Sequence, residues 1–424
     1  MNRRFLCIIL AAVAIGGGGL AVNHFRAGGE CNRPVDPKLV SANTDFGVRL
    51  LKELVKSEKG KNVFISPASV STALFMTYNG ADGGTREAMA RTLGVQAMTL
   101  DQINDANEAL LANLRGQGAG VEVQMANSLW ARNDVSFKDS FIDANRRYYS
   151  AKVTSLPFDS NAVNKINAWA SNKTHGKIPQ IINKLDPDND IMVLTNAVYF
   201  AGEWAKAFDP KDTKDAPFTL SDGKEITVPM MTQKMDVRRF AVEFADMSRL
   251  RSTMRPEFLK HHSIPEAYGV GIPYKNGRTE MWVVLPTEGS LSSLVKGLSA
   301  RKLEDWIAES RHDEVYVSMP RFKLACSFEN QMKSALSDMG MSEAFDANKA
   351  NFSRLVAGQV WISAIVHKTV LEVDEKGTVA AAVTAGLLSS GAPMSFDIDR
   401  PFLCLIRDNK TKAILFIGAV EDPR

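Results

Sequence analysis

The chain has 424 residues, of which 23% are charged and 45% are hydrophobic, and its formal net charge is +3. Because 51 basic residues nearly balance 48 acidic ones, the composition predicts neither a nucleic-acid partner nor a polyanionic one. By length alone the chain would suit two or three domains.

The first 21 residues have the layout of an export signal. Arg3 and Arg4 precede an apolar run over residues 5–15, and small residues follow as far as Ala21. The run is too short and too rich in glycine to favour a membrane span, and an uncleaved anchor is the alternative. We therefore predict a secreted or periplasmic protein with a signal peptide over residues 1–21. Pro34 and Pro37 predict a linker over residues 22–40.

Helical and strand-like patterns alternate along the rest of the chain without an internal repeat. Apolar spacing predicts helices from Thr44 or Asp45 to Ser57, over residues 69–78 and 85–93, and around Val163, Ile166 and Ala170. Alternating or continuous apolar runs predict strands over residues 192–199, 281–285, 315–328, 360–373 and 414–420. Such interleaving, without regular βαβ spacing, predicts a mixed fold of the α/β or α+β class.

An uncharged segment near the C-terminus is unusual for this chain. No charged residue occurs between Gly377 and Ser395. Small or β-branched residues at alternate positions from Thr378 to Thr384 would share one face of a strand. The turn-forming residues 389–391 and Pro393 instead favour an exposed tip. Taken alone, the segment fits equally well with a buried alanine-rich helix that ends in a polar turn.

The segments around this stretch closely resemble the serpins. The resemblance lies in residues 366–378, VHKTVLEVDEKGT, and in residues 396–406, FDIDRPFLCLI. It extends upstream to residues 62–70, NVFISPASV, and to residues 196–204, NAVYFAGEW. Because these motifs occur in family order, residues 41–424 are identified as a single serpin domain. The resemblance implies an α+β fold with three β-sheets, a surrounding set of helices and an exposed reactive-centre loop.

The resemblance also assigns roles to individual residues. It implies a loop hinge formed by Glu375, Gly377, Thr378, Ala380, Ala381 and Ala382. It places Ser66, Ser69, Asn196 and His367 in the shutter, a polar cluster under the centre of the main sheet. It places Trp204 in the breach, where the loop first enters that sheet.

A serpin resemblance implies a suicide-substrate inhibitor of serine proteases. The cleaved loop of such an inhibitor enters the central sheet as a new strand while the protease is still attached as an acyl-enzyme. The small hinge residues favour this function, although Val379 stands where the family often has Glu. The alternative is a non-inhibitory serpin that acts as a chaperone, carrier or ligand-binding protein, whose hinge usually carries charged or bulky residues.

Two bonds are candidates for cleavage. The usual family spacing from the hinge indicates Gly391-Ala392, whereas counting back from Pro401 indicates Ser390-Gly391. Both bonds follow a small residue, which favours an elastase-like or subtilisin-like serine protease as the partner. The tip has no Lys or Arg, which disfavours trypsin-like proteases.

No motif for catalysis or metal binding accompanies this pattern. The sequence has no HExxH, CxxC or GxSxG, so we interpret His367 as a hydrogen-bonded structural residue and predict neither an enzyme nor a cofactor or metal site. We predict a monomer without a nucleic-acid partner. If the N-terminal segment is not cleaved, it would tether the protein to a membrane. Residues 236–268 carry several basic side chains and are predicted to form a solvated surface loop, and the alternative is a basic insertion that binds an acidic cofactor or a membrane surface.

Overall fold

The computed structural model describes residues 33–115, 117–241, 265–378 and 394–424. Its α-helices are α1 (Pro37–Ser57), α2 (Pro67–Tyr78), α3 (Gly83–Leu93), α4 (Leu100–Arg115), α5 (Asp139–Ala144), α6 (Ser160–Lys173), α7 (Leu291–Gly297), α8 (Ala300–Glu309) and α9 (Asn330–Leu336). Short π or 3₁₀ segments are Asn145–Tyr149, Pro210–Asp212, Ser337–Met341 and Ser342–Phe345.

The strands are β1 (Val63–Ile65), β2 (Val121–Arg132), β3 (Lys152–Leu156), β4 (Met192–Glu203), β5 (Lys214–Thr219), β6 (Glu225–Phe240), β7 (Ala267–Pro273), β8 (Thr279–Pro286), β9 (Arg311–Pro320), β10 (Phe322–Phe328), β11 (Ala364–Val373), β12 (Gly377–Thr378), β13 (Ser395–Asp397), β14 (Phe402–Asp408) and β15 (Ile414–Val420). Helices and strands are thus interleaved, as the sequence predicts.

The described strands form two hydrogen-bonded sheets. The nine-stranded sheet has the order β1-β15-β14-β8-β7-β6-β9-β13, with β5 also paired to β6. The six-stranded sheet has the order β10-β11-β4-β2-β3, with β12 also paired to β4. The serpin resemblance predicts three sheets, and two of these are joined into the nine-stranded sheet through β6. This strand pairs with β9 over Met230–Arg239 and with β7 over Arg238–Phe240.

Helix α1 begins within the residues predicted as a linker. The Asp36 carboxylate accepts a hydrogen bond from the Lys38 backbone N–H, and Pro37 occupies the first turn, where a missing N–H has no cost. Leu39 and Val40 are already buried in the core. Only residues 33–36 of the predicted linker are therefore seen as irregular chain, and the predicted signal peptide lies outside the described residues.

The single strand predicted over residues 315–328 is wrong. The chain breaks at Arg321, so that β9 belongs to the nine-stranded sheet and β10 to the six-stranded sheet. Pro320 has no N–H to continue a ladder, and Arg321 donates its own N–H to the Pro229 carbonyl. Apolar residues fall on odd positions up to Met319 and on even positions from Phe322, so the alternation changes phase at the break, which the prediction of one strand did not take into account.

The solvated-loop prediction is wrong for the first part of residues 236–268. Arg238 and Arg239 lie in β6, and the guanidinium of Arg238 lies 5.4 Å from the ring centroid of Trp282. Arg239 is buried and pairs with Asp313 at 2.7 Å. Residues 242–264, which carry the other basic side chains, lie outside the described residues.

Helix α6 covers the outer face of the six-stranded sheet. Ile166 and Ala170 of this helix pack with Val193 and Ala197 of β4 and with Val366 of β11, in an apolar cluster separate from the main core. Both faces of β4 and β11 are therefore buried, which explains their nearly continuous apolar sequence. Among the residues described, no helix combines the length and hydropathy needed to cross a membrane.

Candidate functional site

The chain reverses direction at the end of β11 and forms a tight hairpin over residues 374–378, which we call the hinge hairpin. The Asp374 N–H donates to the Gly377 carbonyl at 2.9 Å, and the Gly377 N–H donates back to Asp374 at 3.2 Å. The returning strand β12 then pairs antiparallel with β4, with Gly377 opposite Glu203 and Thr378 opposite Gly202. The predicted hinge therefore already has strand structure at its first residues.

Glycine is required at position 377. Its φ is +137°, which side-chain-bearing residues rarely adopt. A Cβ atom there would lie 2.1 Å from the carbonyl oxygen of Gly202 and 2.7 Å from the Cα of Glu203. The close approach of β12 to β4 thus depends on the absence of a side chain.

Glu375 anchors the turn of the hinge hairpin to neighbouring segments. Its carboxylate forms an ion pair with Arg321 and accepts a hydrogen bond of 2.7 Å from the Thr213 hydroxyl, and its carbonyl accepts the Phe208 N–H at 2.8 Å. Burial raises the pKa of Glu375, but the hydrogen bonds from Arg321 and Thr213 outweigh it, so that the pKa lies below its usual value. The carboxylate form is the one that holds the hairpin.

Trp204 lies against the same hairpin, where the sequence places the breach. Its indole Nε1–H donates to the Asp374 carbonyl at 3.1 Å, and its backbone N–H donates to the Lys376 carbonyl at 3.2 Å. The indole stacks on Tyr274 with 4.6 Å between ring centroids. Trp204, the predicted breach residue, is therefore hydrogen-bonded directly to the hinge hairpin.

His367 and Asn196 lie opposite each other in the parallel pair formed by β11 and β4, which extends from Ala364 to Val370 on β11. The Ser66 backbone N–H donates to Nε2 of His367 at 3.1 Å, so Nδ1 carries the proton and donates to Oδ1 of Asn196. Complete burial lowers the pKa of His367 to about 3. The imidazole is therefore neutral and bridges the two strands.

The amide group of Asn196 extends this contact into a network. Its Nδ2 donates to the Ser69 carbonyl at 3.1 Å and to the Ser69 hydroxyl, both on α2, and to Oδ1 of Asn127 on β2. We call Ser66, Ser69, Asn127, Asn196 and His367 the shutter cluster. The cluster joins β11, β4, β2 and α2, which brings together the four residues predicted from the sequence.

Sequence reasoning missed Asn127, Thr213 and Arg321. Asn127 lies directly opposite Asn196 in the antiparallel pair formed by β2 and β4. An amide side chain at the start of the buried second half of β2 was the available signal. Thr213 and Arg321 contact Glu375 from 162 and 54 residues away in the chain, and the serpin resemblance over residues 319–322 assigned no role to Arg321. The remaining predicted site residues, Ala380, Ala381, Ala382, Ser390, Gly391 and Ala392, lie outside the described residues.

The fold and this arrangement define a class of protein. The family model of the serpins, described as serine protease inhibitors, matches residues 41–423. The chain is 33% identical to the leukocyte elastase inhibitor of Xenopus laevis, over 91% of this chain and 99% of that protein. It is 35% identical to serpin B6 of Macaca fascicularis, over 91% of this chain and 99% of that protein.

A solved structure is similar as well. The native state of tengpin, a thermophilic serpin, superposes with a TM-score of 0.80 at 30% identity, covering 92% of this chain and 95% of that one. The chain therefore belongs to the serpins, a family of protease inhibitors rather than enzymes.

Proposed function

We propose that the protein is a suicide-substrate inhibitor of serine proteases that traps its target by loop insertion. The serine hydroxyl of the protease attacks the carbonyl carbon before the cleaved bond. An ester then forms between loop and protease, and the C-terminal segment leaves with the new amine. The freed loop enters the six-stranded sheet between β4 and β11, carries the attached protease to the far end of the sheet, and distorts its active site before water hydrolyses the ester.

The position of β12 is the observation that carries this proposal. Pairing between β4 and β11 ends at Val370 and Tyr199, and β12 follows beside β4 at Gly202 and Glu203. Because β12 runs antiparallel to β4 and turns back from β11, its continuation would run antiparallel to both strands. Insertion therefore needs no reversal of the chain, only separation of two strands that are now paired.

The change in strand pairing favours the inserted form of the loop in free energy. One parallel ladder between β4 and β11 would be replaced by two antiparallel ladders, and parallel pairing is slightly less stable per residue. The intact form would then be held by a kinetic barrier rather than by its free energy. The shutter cluster bridges the two strands through the hydrogen bond between His367 and Asn196. Breaking this cluster is the part of the barrier that the hydrogen bonds of this structure best support.

An elastase-like or subtilisin-like protease is the proposed target. The two candidate bonds, Ser390-Gly391 and Gly391-Ala392, both follow small residues, and the tip has no Lys or Arg for a trypsin-like protease. The name of one relative, leukocyte elastase inhibitor, supports the same class.

We also propose that residues 1–21 direct export of a monomer. N-terminal sequencing of the exported protein would test the export signal, and light scattering would test the monomer.

Mixing the purified protein with pancreatic elastase and with subtilisin tests the mechanism. We expect a complex of summed mass that survives denaturing electrophoresis, together with release of a C-terminal peptide whose mass identifies the cleaved bond. Protease inactivated at its serine is the control, because it binds the loop but cannot form the ester. Loop cleavage with full protease activity and no stable complex, for both proteases, would contradict the proposal and favour a non-inhibitory serpin.

A further inference from the structure

The chain crosses the outer face of the six-stranded sheet immediately after α6, and we call residues 174–182 the strap. Ile178 and Ile182 of the strap are buried in the apolar cluster that also contains Ala197 of β4 and Val366 of β11. The strap therefore lies over the two strands that loop insertion has to separate.

Two side chains of the strap contact strands on one side of the insertion path. Nε2 of His175 hydrogen-bonds Oε1 of Glu122 on β2 at 3.0 Å, and Nζ of Lys177 lies 5.7 Å from the ring centroid of Tyr199 on β4. In the strand register Glu122 is opposite Ala201, the residue of β4 next to the end of β12. These contacts thus lie where the first residues of an inserting loop would enter.

A third contact attaches the strap to the strand on the other side of that path. Nζ of Lys368 on β11 donates to the Gln180 carbonyl at 2.7 Å. A strand inserted between β4 and β11 would increase their separation by about 4.8 Å, the ordinary spacing of neighbouring strands. The strap cannot keep its contacts on both sides after such a movement, so insertion has to break one set of them.

The contact with β2 is the one that solvent can most readily replace. The side chains of His175 and Glu122 are 60% and 47% exposed. Exposed polar pairs are weak because water competes for both partners. We therefore expect this side of the strap to open first, so that the strength of the pair contributes to the barrier of insertion.

The backbone at His175 indicates that its side chain has a role. Its φ is +50°, in the left-handed region that residues other than glycine seldom adopt, and Gly176 follows at +77°. A glycine would suit the first position better. The imidazole is therefore present at a conformational cost, which its hydrogen bond to Glu122 offsets.

The strength of this hydrogen bond depends on a proton. A neutral imidazole donates one hydrogen bond to the Glu122 carboxylate, whereas an imidazolium adds the attraction of an ion pair. The amide of Gln124 also donates to Oε1 of Glu122, at 2.8 Å, and so holds the carboxylate in place. Histidine side chains ordinarily titrate near pH 6.5, so this change falls between about pH 6 and pH 8.

The other charges near the contact do not reverse its sign. Lys173 at the end of α6 and Lys177 in the strap carry the same charge as a protonated His175, but both are exposed and are screened by solvent. The carboxylate, in contrast, is in hydrogen-bond contact. On the sheet, burial raises the pKa of Tyr199, and nearby carboxylates, that of Glu372 among them, raise it further. The surface under the strap is therefore acidic.

We propose that His175 and Glu122 form a proton-dependent clasp that regulates loop insertion. Protonation of the imidazole tightens the strap on β2, so insertion slows in mild acid and water has longer to hydrolyse the ester that joins loop and protease. More molecules are then consumed as substrate, and fewer form the stable complex. This regulation rests on the proposed function, because it acts on the insertion step.

The ratio of complex to cleaved inhibitor, read from denaturing gels after reaction with subtilisin at pH 6 and at pH 8, compares insertion with ester hydrolysis. Comparing variant and parent at the same pH removes the pH dependence of the protease. His175→Asn should raise this ratio about 2- to 5-fold over the parent at pH 6, as for an exposed ion pair, and by less than about 1.5-fold at pH 8. Asparagine also tolerates the left-handed backbone, and it does not titrate.

Two further variants assign the effect. Glu122→Gln removes the charge but keeps the shape of the side chain, and it should give the same pattern as His175→Asn. His312→Asn is the matched control, because His312 also lies beside a carboxylate, that of Asp236 at 3.5 Å, but in the nine-stranded sheet. Its ratio of complex to cleaved inhibitor should equal that of the parent at both pH values.

Hydrogen exchange of the strap amides gives a second readout that needs no protease. At pH 6 the strap should exchange more slowly in the parent than in His175→Asn, and at pH 8 the two should be nearly equal. Slower exchange at pH 6 without a change in the ratio of complex to cleaved inhibitor would mean that the clasp does not control insertion, and would overturn the proposal.

The failure of the clasp and the failure of the proposed function give different results. Equal ratios in the parent and His175→Asn at pH 6, or the same difference at both pH values, would overturn the clasp, while the stable complex would still support loop insertion. No complex with the parent at either pH would overturn the proposed function, and this regulation with it.

Discussion

The hinge hairpin and the shutter cluster occupy the same pair of strands, but β4 and β11 are in different states at the two places. At the hinge hairpin the strands have parted, and Gly377 and Thr378 already take up the hydrogen-bonding edge of β4. At the shutter cluster the strands are directly paired, and His367 and Asn196 bridge them. The sheet is thus open at one end and closed at its centre.

The side-chain contacts of the two regions also differ in their exposure to solvent. The hinge hairpin is held by an ion pair of Glu375 with Arg321, which is half exposed, so solvent can replace its contacts as they break. The shutter cluster is buried, and hydrogen bonds connect its members to one another. Opening a buried network exposes several unpaired polar groups together, which makes the centre of the sheet the expected barrier.

The largest effect is expected from Thr378→Arg, which changes the hinge hairpin and leaves the residues of the shutter cluster as they are. A charged side chain at the second residue of β12 should stop insertion while leaving the loop cleavable, so the stable protease complex should disappear almost completely. Gel quantification of complex and cleaved inhibitor checks this. Thr378→Ser, which keeps the size and polarity, should still form the complex, and undiminished complex with the Arg variant would rule out insertion at this position.

A second effect is expected from Asn196→Ala, which breaks the shutter cluster. The change leaves Nδ1–H of His367 and the Ser69 and Asn127 oxygens without a shared partner, so we expect a loss of about 2–4 kcal/mol of unfolding free energy. Urea unfolding measures it. The matched control is Asn107→Ala, a buried Asn of α4 that donates to Ile103 within its own helix at 2.8 Å.

Asn107→Ala should cost less, about 1 kcal/mol, because it removes one local hydrogen bond. The two variants should also differ in spontaneous conversion to a non-inhibitory form on warming, which Asn196→Ala accelerates and Asn107→Ala does not. Equal losses in the two variants would mean that the shutter cluster does not hold β4 and β11 together.

A smaller effect on the unfolding free energy is expected from pH. The shutter cluster and the hinge hairpin should respond over different pH ranges, so no mutation is needed to distinguish them. His367 is neutral in the folded protein because burial lowers its pKa to about 3 from 6.5, so below pH 6.5 the unfolded chain binds a proton that the folded protein does not. Unfolding free energy should therefore fall by about 2 kcal/mol between pH 7 and pH 5. The pKa of Glu375 is lowered from 4.5, so its contribution persists over that interval and is lost only in stronger acid.

Urea midpoints between pH 7 and pH 5 check this expectation. His367→Gln, which keeps a donor and an acceptor but does not titrate, should flatten the dependence. A pH dependence that survives in His367→Gln would assign the titration to another group.

The elements most accurately predicted from the sequence are those whose pattern has one interpretation. The apolar run of β15 over Ile414–Val420 ends before Glu421 and matches the prediction at both ends. The start of α1 was missed because Pro37 suits both a linker and a first helical turn. The break between β9 and β10 coincides with a change in phase of the alternation after Met319, which the prediction of a single strand did not take into account.

The candidate site could be predicted only where the serpin motifs include it. His367 and Asn196 belong to such motifs, and the structure places them in register across β11 and β4. Thr213, Arg321 and Asn127 reach the same sites through strand register and long-range packing. The contacts of Thr213 and Arg321 depend on the whole fold, so a local pattern of residue types does not reveal them, whereas Asn127 stands out as an amide in the buried half of β2.

Loop cleavage followed by thermal unfolding tests the central claim most directly. The protein is cut once within residues 379–393, the position is confirmed by mass spectrometry, and the midpoints of cut and intact forms are compared. Insertion of the freed loop between β4 and β11 predicts a rise of at least about 10 °C, since the new central strand replaces one ladder of hydrogen bonds with two. Equal midpoints would show that the loop stays outside the sheet and would contradict the proposed mechanism.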